Sequence, residues 1–485
     1  MLFQIKVVTY YKYLNKSEKE NRHEVCERFY ENREQKLTAK GRGKIMLWQI
    51  KKIIHYHMPD LKEQLSELSD PRIGIEYTIE ELLMAAIMLF LLKCSSRNEF
   101  NIKQKDEQFR KNYYRMFHLN LPHMDAVDEL LKKLEDDKIE EIRCHLIHNL
   151  IEKRVFHKFR FFSQYFCVAI DGTGVYNLGD NPPDELREFA LKKESSKGKE
   201  SYSLQVLEAV LVCSNGMNIP LISEWIANES SQYDKQDCEL KAFKRLAIRL
   251  KKYFSRLKIC IIADGLYSNV AIMEICSQNE WKFISVFKDG NLPTVWEEVE
   301  SLIKIPSATK CKKEEFYDSI YKTIRNYRWI NKIDYKNYFI NWIECVQEET
   351  NIKTKQLESN DFVFITNLEA NHENIVSIVK AGRARWGIEE HFNTQKNRGG
   401  NLHHKFNRKY FNAIKNWHNI RQLVCLINEF VKHTSEIYQI LKDNSKMTLK
   451  ELWNNLNSYL TMCSIKIYMI VFECWIEKPR QVRLE

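Results

Sequence analysis

The spacing of apolar residues divides the chain into helical and β-rich segments. Between residues 46 and 160, apolar positions recur every three or four residues, as at Leu82, Ala86 and Leu89, and this period predicts amphipathic helices. From residue 161 the pattern changes to short, continuously apolar runs bounded by turn residues, which is typical of buried strands. The sequence therefore predicts a helical region that leads into an α/β region.

A series of short strands and helices makes up the α/β region. The predicted order is strand 165–170, paired strands 204–212 and 219–226, helix 234–256, strand 259–263, helix 270–277 and strand 283–287. Asn215-Gly216 lies between the paired strands and is a good hairpin signal. Strand 165–170 is expected to stop at Asp171-Gly172, and strand 259–263 at Asp264-Gly265.

The segment 305–370 differs again, because it is rich in aromatic and β-branched residues that alternate with polar ones. This alternation predicts a β-rich insertion. Helix returns at about Glu373, and the helix that carries Arg385 to Lys396 is expected to stop at Gly399-Gly400. The remaining residues to 485 are predicted to be mostly helical.

Composition and charge narrow the class of protein. Of 485 residues, 44% are hydrophobic and only 14 are Gly and 9 Pro, which excludes a disordered or collagenous chain. The formal net charge of +10 is concentrated in two places. Residues 1–60 carry 13 Lys or Arg against 7 Asp or Glu, and residues 380–409 carry 8 against 2. Two basic segments predict an acidic partner, and residues 1–45 are interpreted as a mobile basic arm.

Cysteine usage and hydropathy indicate the compartment. The 13 cysteines form no C-x-x-C pair and follow no signal peptide, which favours a reducing cytosol. The apolar run 82–92 is about half of the roughly 20 residues that a spanning helix needs, so no membrane is expected. Cys144 and His148 have the spacing of two zinc ligands on a helix, but no second pair of ligands follows, so zinc is not expected. The sequence has no Gly-rich phosphate loop, so ATP is not expected either.

Three acids are candidates for chemistry. Asp171 and Asp264 each follow a buried strand, at the end where open α/β sheets usually build their sites, and Glu389 lies on a helix. Carboxylates that meet at one sheet edge suit Mg²⁺, and two such ions can support displacement at a phosphodiester. The alternatives stay open: Asp-Gly is ordinary turn chemistry that recurs at Asp289-Gly290, and a lone helical Glu is usually solvated.

The helix of Glu389 adds a second observation. Arg385 lies four residues before Glu389 and Lys396 seven after it, so the three share one helical face. A metal-binding acid between two cations would place a metal ligand beside two phosphate contacts. The alternative is a solvated pair of Arg385 and Glu389 that needs no functional explanation.

The residues around the three acids resemble the DDE transposases of bacterial insertion sequences. The signature of the group in question is Tyr, two residues, Arg, three residues, Glu, six residues, Lys, and Arg385, Glu389 and Lys396 have this spacing. Ala-Ile-Asp-Gly-Thr around Asp171 and Ile-Ala-Asp-Gly-x-Tyr around Asp264 are similar to the family's other two catalytic segments. The separation of 125 positions from Asp264 to Glu389 leaves room for the inserted β-rich domain of that group.

The resemblance, which covers about residues 160–430, implies a fold. It implies an α/β protein with a ribonuclease-H-like core that a β-rich insertion interrupts, preceded by a helical domain and followed by a helical tail. The expected segments are a basic arm (1–45), a helical DNA-binding domain (46–160), the first part of the core (161–304), the insertion (305–370), the last part of the core with the Glu389 helix (371–432) and a helical C-terminal region (433–485).

The resemblance also implies roles for residues. Asp171, Asp264 and Glu389 would be the catalytic triad and hold two Mg²⁺ ions, for which Mn²⁺ could substitute. Arg385 and Lys396 would contact DNA phosphates. The protein would cut and rejoin double-stranded DNA at the ends of an insertion sequence, as a homodimer on DNA in the bacterial cytosol.

Two features of the sequence leave alternatives. The signature Tyr is replaced by Gly382, so Arg383 would take over the phosphate contact, or the transposon end would be held less tightly, or the copy is decaying. Tyr327 and Trp329 are interpreted either as core residues of the inserted sheet or as a platform for an unstacked base. The alternative functions are a metal-dependent nuclease on the same core and a non-catalytic DNA-binding protein derived from a transposase.

Overall fold

A mixed ten-stranded sheet with helices on both faces forms the centre of the protein. The structure is a computed structural model that describes residues 38–195, 198–228, 237–288, 290–443 and 447–465. The fold class is therefore α/β, as the alternation of strands and helices predicts. In the described ranges, no helix is both long and apolar enough to cross a membrane.

The strands of this sheet are numbered in chain order. They are β1 (Phe166–Gly179), β2 (Leu191–Glu194), β3 (Glu200–Val212), β4 (Asn218–Ile226), β5 (Ile259–Ala263), β6 (Lys282–Val286), β7 (Lys310–Tyr317), β8 (Tyr321–Tyr335), β9 (Tyr338–Asn351) and β10 (Leu357–Thr366).

The helices precede, connect and follow the strands. Those before the sheet are α1 (Ala39–His57), α2 (Leu61–Ser66), α3 (Ile79–Leu91), α4 (Arg97–Lys105), α5 (Glu107–Phe117), α6 (Met124–Lys133) and α7 (Lys138–Glu152). Those between strands are α8 (Asp184–Arg187), α9 (Glu239–Tyr253), α10 (Val270–Gln278) and α11 (Pro293–Ile303). Those after the sheet are α12 (Ile375–Arg383), α13 (Trp386–Asn397), α14 (Phe411–Lys432), α15 (Ser435–Asp443) and α16 (Leu449–Met462).

The strand order places β1 inside the sheet, between β3 and β5. Along the sheet the order is β2-β3-β1-β5-β6-β10-β9-β8-β7, and β4 pairs with β3. β1, β5 and β6 are parallel neighbours, whereas β3 is antiparallel to both β1 and β4. The predicted hairpin is confirmed, since β3 and β4 turn at Gly216, whose φ of +84° glycine adopts without strain.

The strand that carries Asp171 is longer than expected. It was predicted to stop at Asp171-Gly172, but β1 continues to Gly179, paired with β3 alone after its parallel pairing with β5 has ended. Pairing with β3 satisfies the backbone N–H and C=O groups of β1 beyond Asp171, so the chain continues as a strand there and does not turn. The prediction of a turn at Asp171-Gly172 is therefore wrong.

The predicted insertion is β-rich but belongs to the central sheet. β7 to β10 form an antiparallel meander, and β10 pairs with β9 along its whole length while Phe364 to Thr366 also pair with β6. The four strands thus extend the sheet instead of forming a separate domain. The alternating pattern could not show this, because it specifies strands but not their neighbours.

The first described helix overlaps the segment interpreted as an arm. α1 begins at Ala39, and the Thr38 side chain accepts a hydrogen bond from the Gly41 amide at 3.0 Å as an N-cap. Residues 39–45, predicted as part of the mobile arm, are helical here, and Gly43 packs so closely against Asn455 and Tyr459 of α16 that a Cβ atom would not fit. Residues 1–37 of the predicted arm lie outside the described residues.

Two apolar cores cover the two faces of the sheet. One core joins the N-terminal helices, α9, α10 and α14 to one face, and the other lies under α12 and α13 on the opposite face. Strand β5 contributes to both, since Ile261 belongs to the first core and Ile262 to the second. Burial on both faces explains why this strand is continuously apolar in the sequence.

Candidate active site

Asp171 and Asp264 lie side by side at one edge of the parallel strands. The last parallel pair of β1 and β5 is Ala169 with Ile262, so the same register carried on by two residues places Asp171 beside Asp264. Adjacent strands lie about 4.8 Å apart, and residues paired in register point to the same face of the sheet. The expectation that each acid directly follows its strand holds for Asp264, whereas Asp171 lies within β1, just past its parallel pairing with β5.

Crowding by negative charge changes the ionisation of Asp171. Burial raises the pKa of Asp171 to about 6, the charges of Asp264 and Glu239 act in the same direction, and the Gly172 amide and Arg385 oppose them. The Gly172 amide donates a hydrogen bond to Asp171 Oδ1 at 2.9 Å. Burial is thus the main reason that the protonated form of Asp171 is favoured, and the two neighbouring carboxylates add to this effect.

Asp264 has the local geometry of a helix cap. Its Oδ1 accepts a hydrogen bond from the Leu266 amide at 2.9 Å and caps a short 3-10 helix, Gly265–Tyr267. The Asp264 carbonyl oxygen accepts a hydrogen bond from the Ser285 hydroxyl at 2.9 Å. The backbone of Asp264-Gly265 thus forms a turn, as the turn interpretation of this pair requires. The other carboxylate oxygen, Oδ2, accepts no hydrogen bond from the residues that the structure describes.

Arg385 joins the acid on the helix to the acid on the strand. Its Nη2 donates to Glu389 Oε1 at 2.6 Å, and its Nη1 lies 3.8 Å from Asp171 Oδ2. The guanidinium is largely buried, with 13% of its side chain exposed, whereas 40% of the Glu389 side chain is exposed. The pair is therefore more than a solvated surface contact, because the same arginine also reaches the strand.

Lys396 lies on the same helix near its C-terminus. Its ammonium stands over the ring of Phe392, 5.6 Å from the ring centroid, and it makes no ion pair with any residue that the structure describes. α13 ends at Asn397, just before the predicted stop at Gly399-Gly400. The cation of Lys396 is thus held by an apolar contact and keeps its donors for a ligand.

Arg383 points away from the acids toward the inserted strands. Its Nη1 donates to Gln347 Oε1 at 2.7 Å, and its guanidinium lies over the ring of Phe362 at 4.3 Å. Tyr327 and Trp329 on β8 are each 1% exposed and belong to the core under α12. This burial corresponds to the core interpretation of the two rings, since neither presents a face on which a base could stack.

Packing accounts for the glycine at the signature tyrosine position. Gly382 is buried in α12, and a Cβ atom on it would lie 2.6 Å from a ring carbon of Phe364 on β10. No side chain fits there unless Phe364 moves, so the departure from the family signature is coupled to the residue at position 364.

Glu239 is a fourth carboxylate that the sequence did not single out. It is the first residue of α9, and its Oε2 accepts a hydrogen bond from the Tyr267 hydroxyl at 3.1 Å. A Cβ atom on Gly172 would lie 2.5 Å from Glu239 Oε1, so glycine beside Asp171 makes room for this carboxylate. In the sequence, the only hint of this carboxylate is the presence of Gly172 beside Asp171 and of Tyr267 after Asp264-Gly265. The fold shows that both residues contact Glu239.

A buried polar cluster supports the helix of Glu389 from below. Glu208 lies opposite Asp171 on β3 and accepts hydrogen bonds from Gln395 Nε2 at 3.0 Å and from Gln422 Nε2 at 2.8 Å. His391 Nε2 is 3.0 Å from Glu208. Although burial alone would raise the pKa of Glu208, these contacts, with His391 foremost, lower it to about 2. The cluster fixes the face of α13 that is turned away from the acids.

The donor chemistry suits a hard divalent cation, but the side chains do not form a ligand set in this structure. Asp171, Glu239, Asp264 and Glu389 supply the oxygen atoms that Mg²⁺ prefers. Among the described residues, no three His, Cys, Asp or Glu side chains are grouped closely enough to hold a metal ion. The contacts of Glu389 and Asp171 here are with Arg385 instead.

Comparison with known proteins does not assign the chain. No protein-family model matches the sequence, and no curated protein matches it either. The functional argument therefore rests on the residues and the fold.

Proposed function

We propose that this protein is a DDE-type transposase, which binds the ends of an insertion sequence and catalyses metal-dependent strand cleavage and strand transfer. The observation that carries the proposal is the juxtaposition of Asp171 and Asp264 on neighbouring parallel strands, with Arg385 linking Asp171 to Glu389. A metal-dependent nuclease and a non-catalytic DNA-binding protein are the competing functions.

The strand order supports a ribonuclease-H-like core. A three-stranded antiparallel meander (β1, β3 and β4) leads into the parallel strands β5 and β6, with helices on both faces. The first acid lies on β1, which is flanked by β3 and β5, and the second lies directly after β5. An arrangement of this kind gathers acids that are far apart in the sequence at one edge of the sheet.

The three acids share one role in the proposed reaction. Asp171, Asp264 and Glu389 would hold the divalent ions, which when bound would activate the attacking oxygen and stabilise the leaving one. Water would attack the phosphodiester at the element end and break its P–O3′ bond, leaving a free 3′ hydroxyl. That hydroxyl would then attack a phosphodiester of target DNA and form a new bond as the target strand breaks.

The cations around the acids would position the DNA. Lys396, whose ammonium has no ionic partner in the described residues, would contact a phosphate near the cleaved bond. Arg385 would orient Glu389 and neutralise charge that develops in the transition state. Trp386, 63% exposed beside Arg385, offers the aromatic surface that the buried Trp329 does not.

Replacement of Glu389 tests the proposal. Glu389→Gln keeps the size of the side chain and the hydrogen bond to Arg385 but removes the negative charge, so we expect strand cleavage with Mn²⁺ to fall by at least about 1000-fold while DNA is still bound. The substrate is a duplex that carries the inverted repeats flanking the gene, and the readout is a nick at the repeat end on a denaturing gel.

A neighbouring acid provides the matched control. Glu390→Gln makes the same chemical change one residue away, where Glu390 pairs with Arg398 at the surface, and cleavage should be unchanged. If the wild-type protein binds the repeats but never cuts them, the non-catalytic alternative holds. Equal cleavage by wild type and Glu389→Gln would remove Glu389 from the active site.

A further inference from the structure

Two arginines from different parts of the fold meet on one neutral oxygen. Arg325 Nε on β8 and Arg383 Nη1 at the end of α12 each donate to Oε1 of Gln347 at 2.7 Å. Guanidinium groups are always charged, so two of them that share an acceptor repel each other unless an anion lies nearby. An amide oxygen satisfies two donor hydrogens but neutralises no charge.

Three elements hold this arginine pair in place. Arg325 and Gln347 are directly opposite each other in the ladder of β8 and β9, and Gln347 is only 4% exposed. The guanidinium of Arg383 rests on the ring of Phe362, which β10 contributes, and that of Arg325 lies 4.9 Å from the centroid of Phe316. The positions of both cations are therefore set by packing and not by a carboxylate partner.

The nearest acids are engaged elsewhere. Glu314 faces Arg325 across β7 and β8, but it accepts a hydrogen bond from the Tyr327 hydroxyl at 3.1 Å and pairs with Lys312 at 3.3 Å. Glu349 accepts its hydrogen bond from Gln347 Nε2 at 2.7 Å. Within the described ranges, neither Arg325 nor Arg383 forms an ion pair.

We propose that Arg325 and Arg383 form a binding site for one phosphate group, a phosphodiester of the bound DNA, that is shared by the inserted strands and the core. The planar forks of two guanidiniums match the oxygens of a phosphate and can hold it by several hydrogen bonds. This inference rests on the proposed function for the identity of its ligand. It gives the insertion a role in gripping DNA that does not require an exposed base platform on Tyr327 or Trp329.

The site also has a defined place relative to the acids. Arg383 ends α12, and two residues further on Arg385 contacts Asp171 and Glu389. The phosphate bound by the arginine pair would thus lie on the insertion side of the acids, outside the position of bond cleavage. Its loss should weaken DNA binding more than it slows the chemistry.

Gln347→Glu is the sharpest test, because it adds a carboxylate at the acceptor both arginines already share. The new charge pairs with them, so the melting temperature should be equal or higher while duplex affinity falls about tenfold. The slope of log affinity against log salt should flatten by roughly 0.9. Arg325→Gln removes one cation and should flatten the slope in the same way, which keeps the test valid if Gln347→Glu folds poorly.

Asn326→Asp is the control for added charge. Asn326 follows Arg325 in β8, and its side chain points to the other face of the sheet, so this variant should keep the wild-type salt slope. If Gln347→Glu and Arg325→Gln both bind DNA as Asn326→Asp does, the phosphate site is refuted, whether or not the wild type cleaves. If their slopes flatten but the wild type never cleaves, the site stands and the proposed catalysis fails. Absence of DNA binding by the wild type overturns both.

Discussion

Asp171 and Glu208 face each other across β1 and β3, yet their surroundings are opposite. Glu208 is buried and accepts hydrogen bonds from Gln395 and Gln422. Burial acts to raise its pKa, but His391 foremost, with His418 and Gln395, lowers the pKa to about 2. Burial raises the pKa of Asp171 to about 6, and nearby acids act in the same direction. The comparison teaches that Glu208 is satisfied by donors of the protein and acts as a support, whereas Asp171 is costly to ionise because it is buried beside other acids, even with Arg385 3.8 Å away.

The largest effect on stability is expected when the support is removed. Glu208→Ala removes the acceptor of Gln395 Nε2 and one of the acceptors of Gln422 Nε2 from the core and leaves His391 without its carboxylate, so the free energy of unfolding should fall by about 3–5 kcal/mol. Urea unfolding measures this loss. Glu390→Ala, which removes a surface pair with Arg398, should cost less than about 1 kcal/mol, and an equally small loss for Glu208→Ala would contradict the comparison.

Removing the charge of Asp171 is expected to raise the stability of the protein, in contrast to the loss of Glu208. Because its folded pKa is about 6 and its ordinary value is 3.8, the folded state binds the proton more tightly, and the stability of the wild type should fall as pH rises from about 4 to about 6. Without divalent ions, Asp171→Asn should therefore be more stable than the wild type by about 2 kcal/mol at pH 7.5. Below about pH 4 the advantage should vanish, and a destabilised variant at pH 7.5 would show that Asp171 is already satisfied.

Replacement of Glu239 should have a smaller effect, which is a change in the pKa of Asp171. Glu239→Gln removes one of the two charges that raise the pKa of Asp171 but keeps an acceptor for the Tyr267 hydroxyl. The pKa of Asp171, followed by NMR titration of its carboxyl carbon, should move down toward its ordinary value. If Asp171 titrates identically in the variant, the two carboxylates are not coupled and Glu239 is no part of the site.

Local pattern accounts for much of what was predicted. The Asn215-Gly216 hairpin, strand 259–263 and the helix of Glu389 follow from turn chemistry, apolar runs and helical spacing, and all are present, although this helix begins at Trp386, just after Arg385. The pairing of Arg385 with Glu389 follows from their separation by four residues.

What the sequence could not show depends on contacts between distant segments. The continuation of β1 past Asp171 depends on its pairing with β3, and the place of the insertion in the sheet depends on the pairing of β10 with β6. Glu239 reaches the site through Gly172 and Tyr267, which a single sequence does not connect. Arg383 was one candidate for the phosphate contact of the missing tyrosine, but its guanidinium points to Gln347, where the ring of Phe362 supports it.

The central claim is that the acids at the edge of β1 and β5 join DNA ends to a target. The direct measurement is a strand-transfer assay, in which wild-type protein, Mn²⁺, a duplex with the flanking inverted repeat and a supercoiled plasmid are incubated together. The account predicts plasmid covalently joined to the 3′ end of the repeat, and no joined product with Asp171→Asn. Cleavage of the repeat without joining would favour a nuclease, and joined product from Asp171→Asn would contradict the assignment of the site.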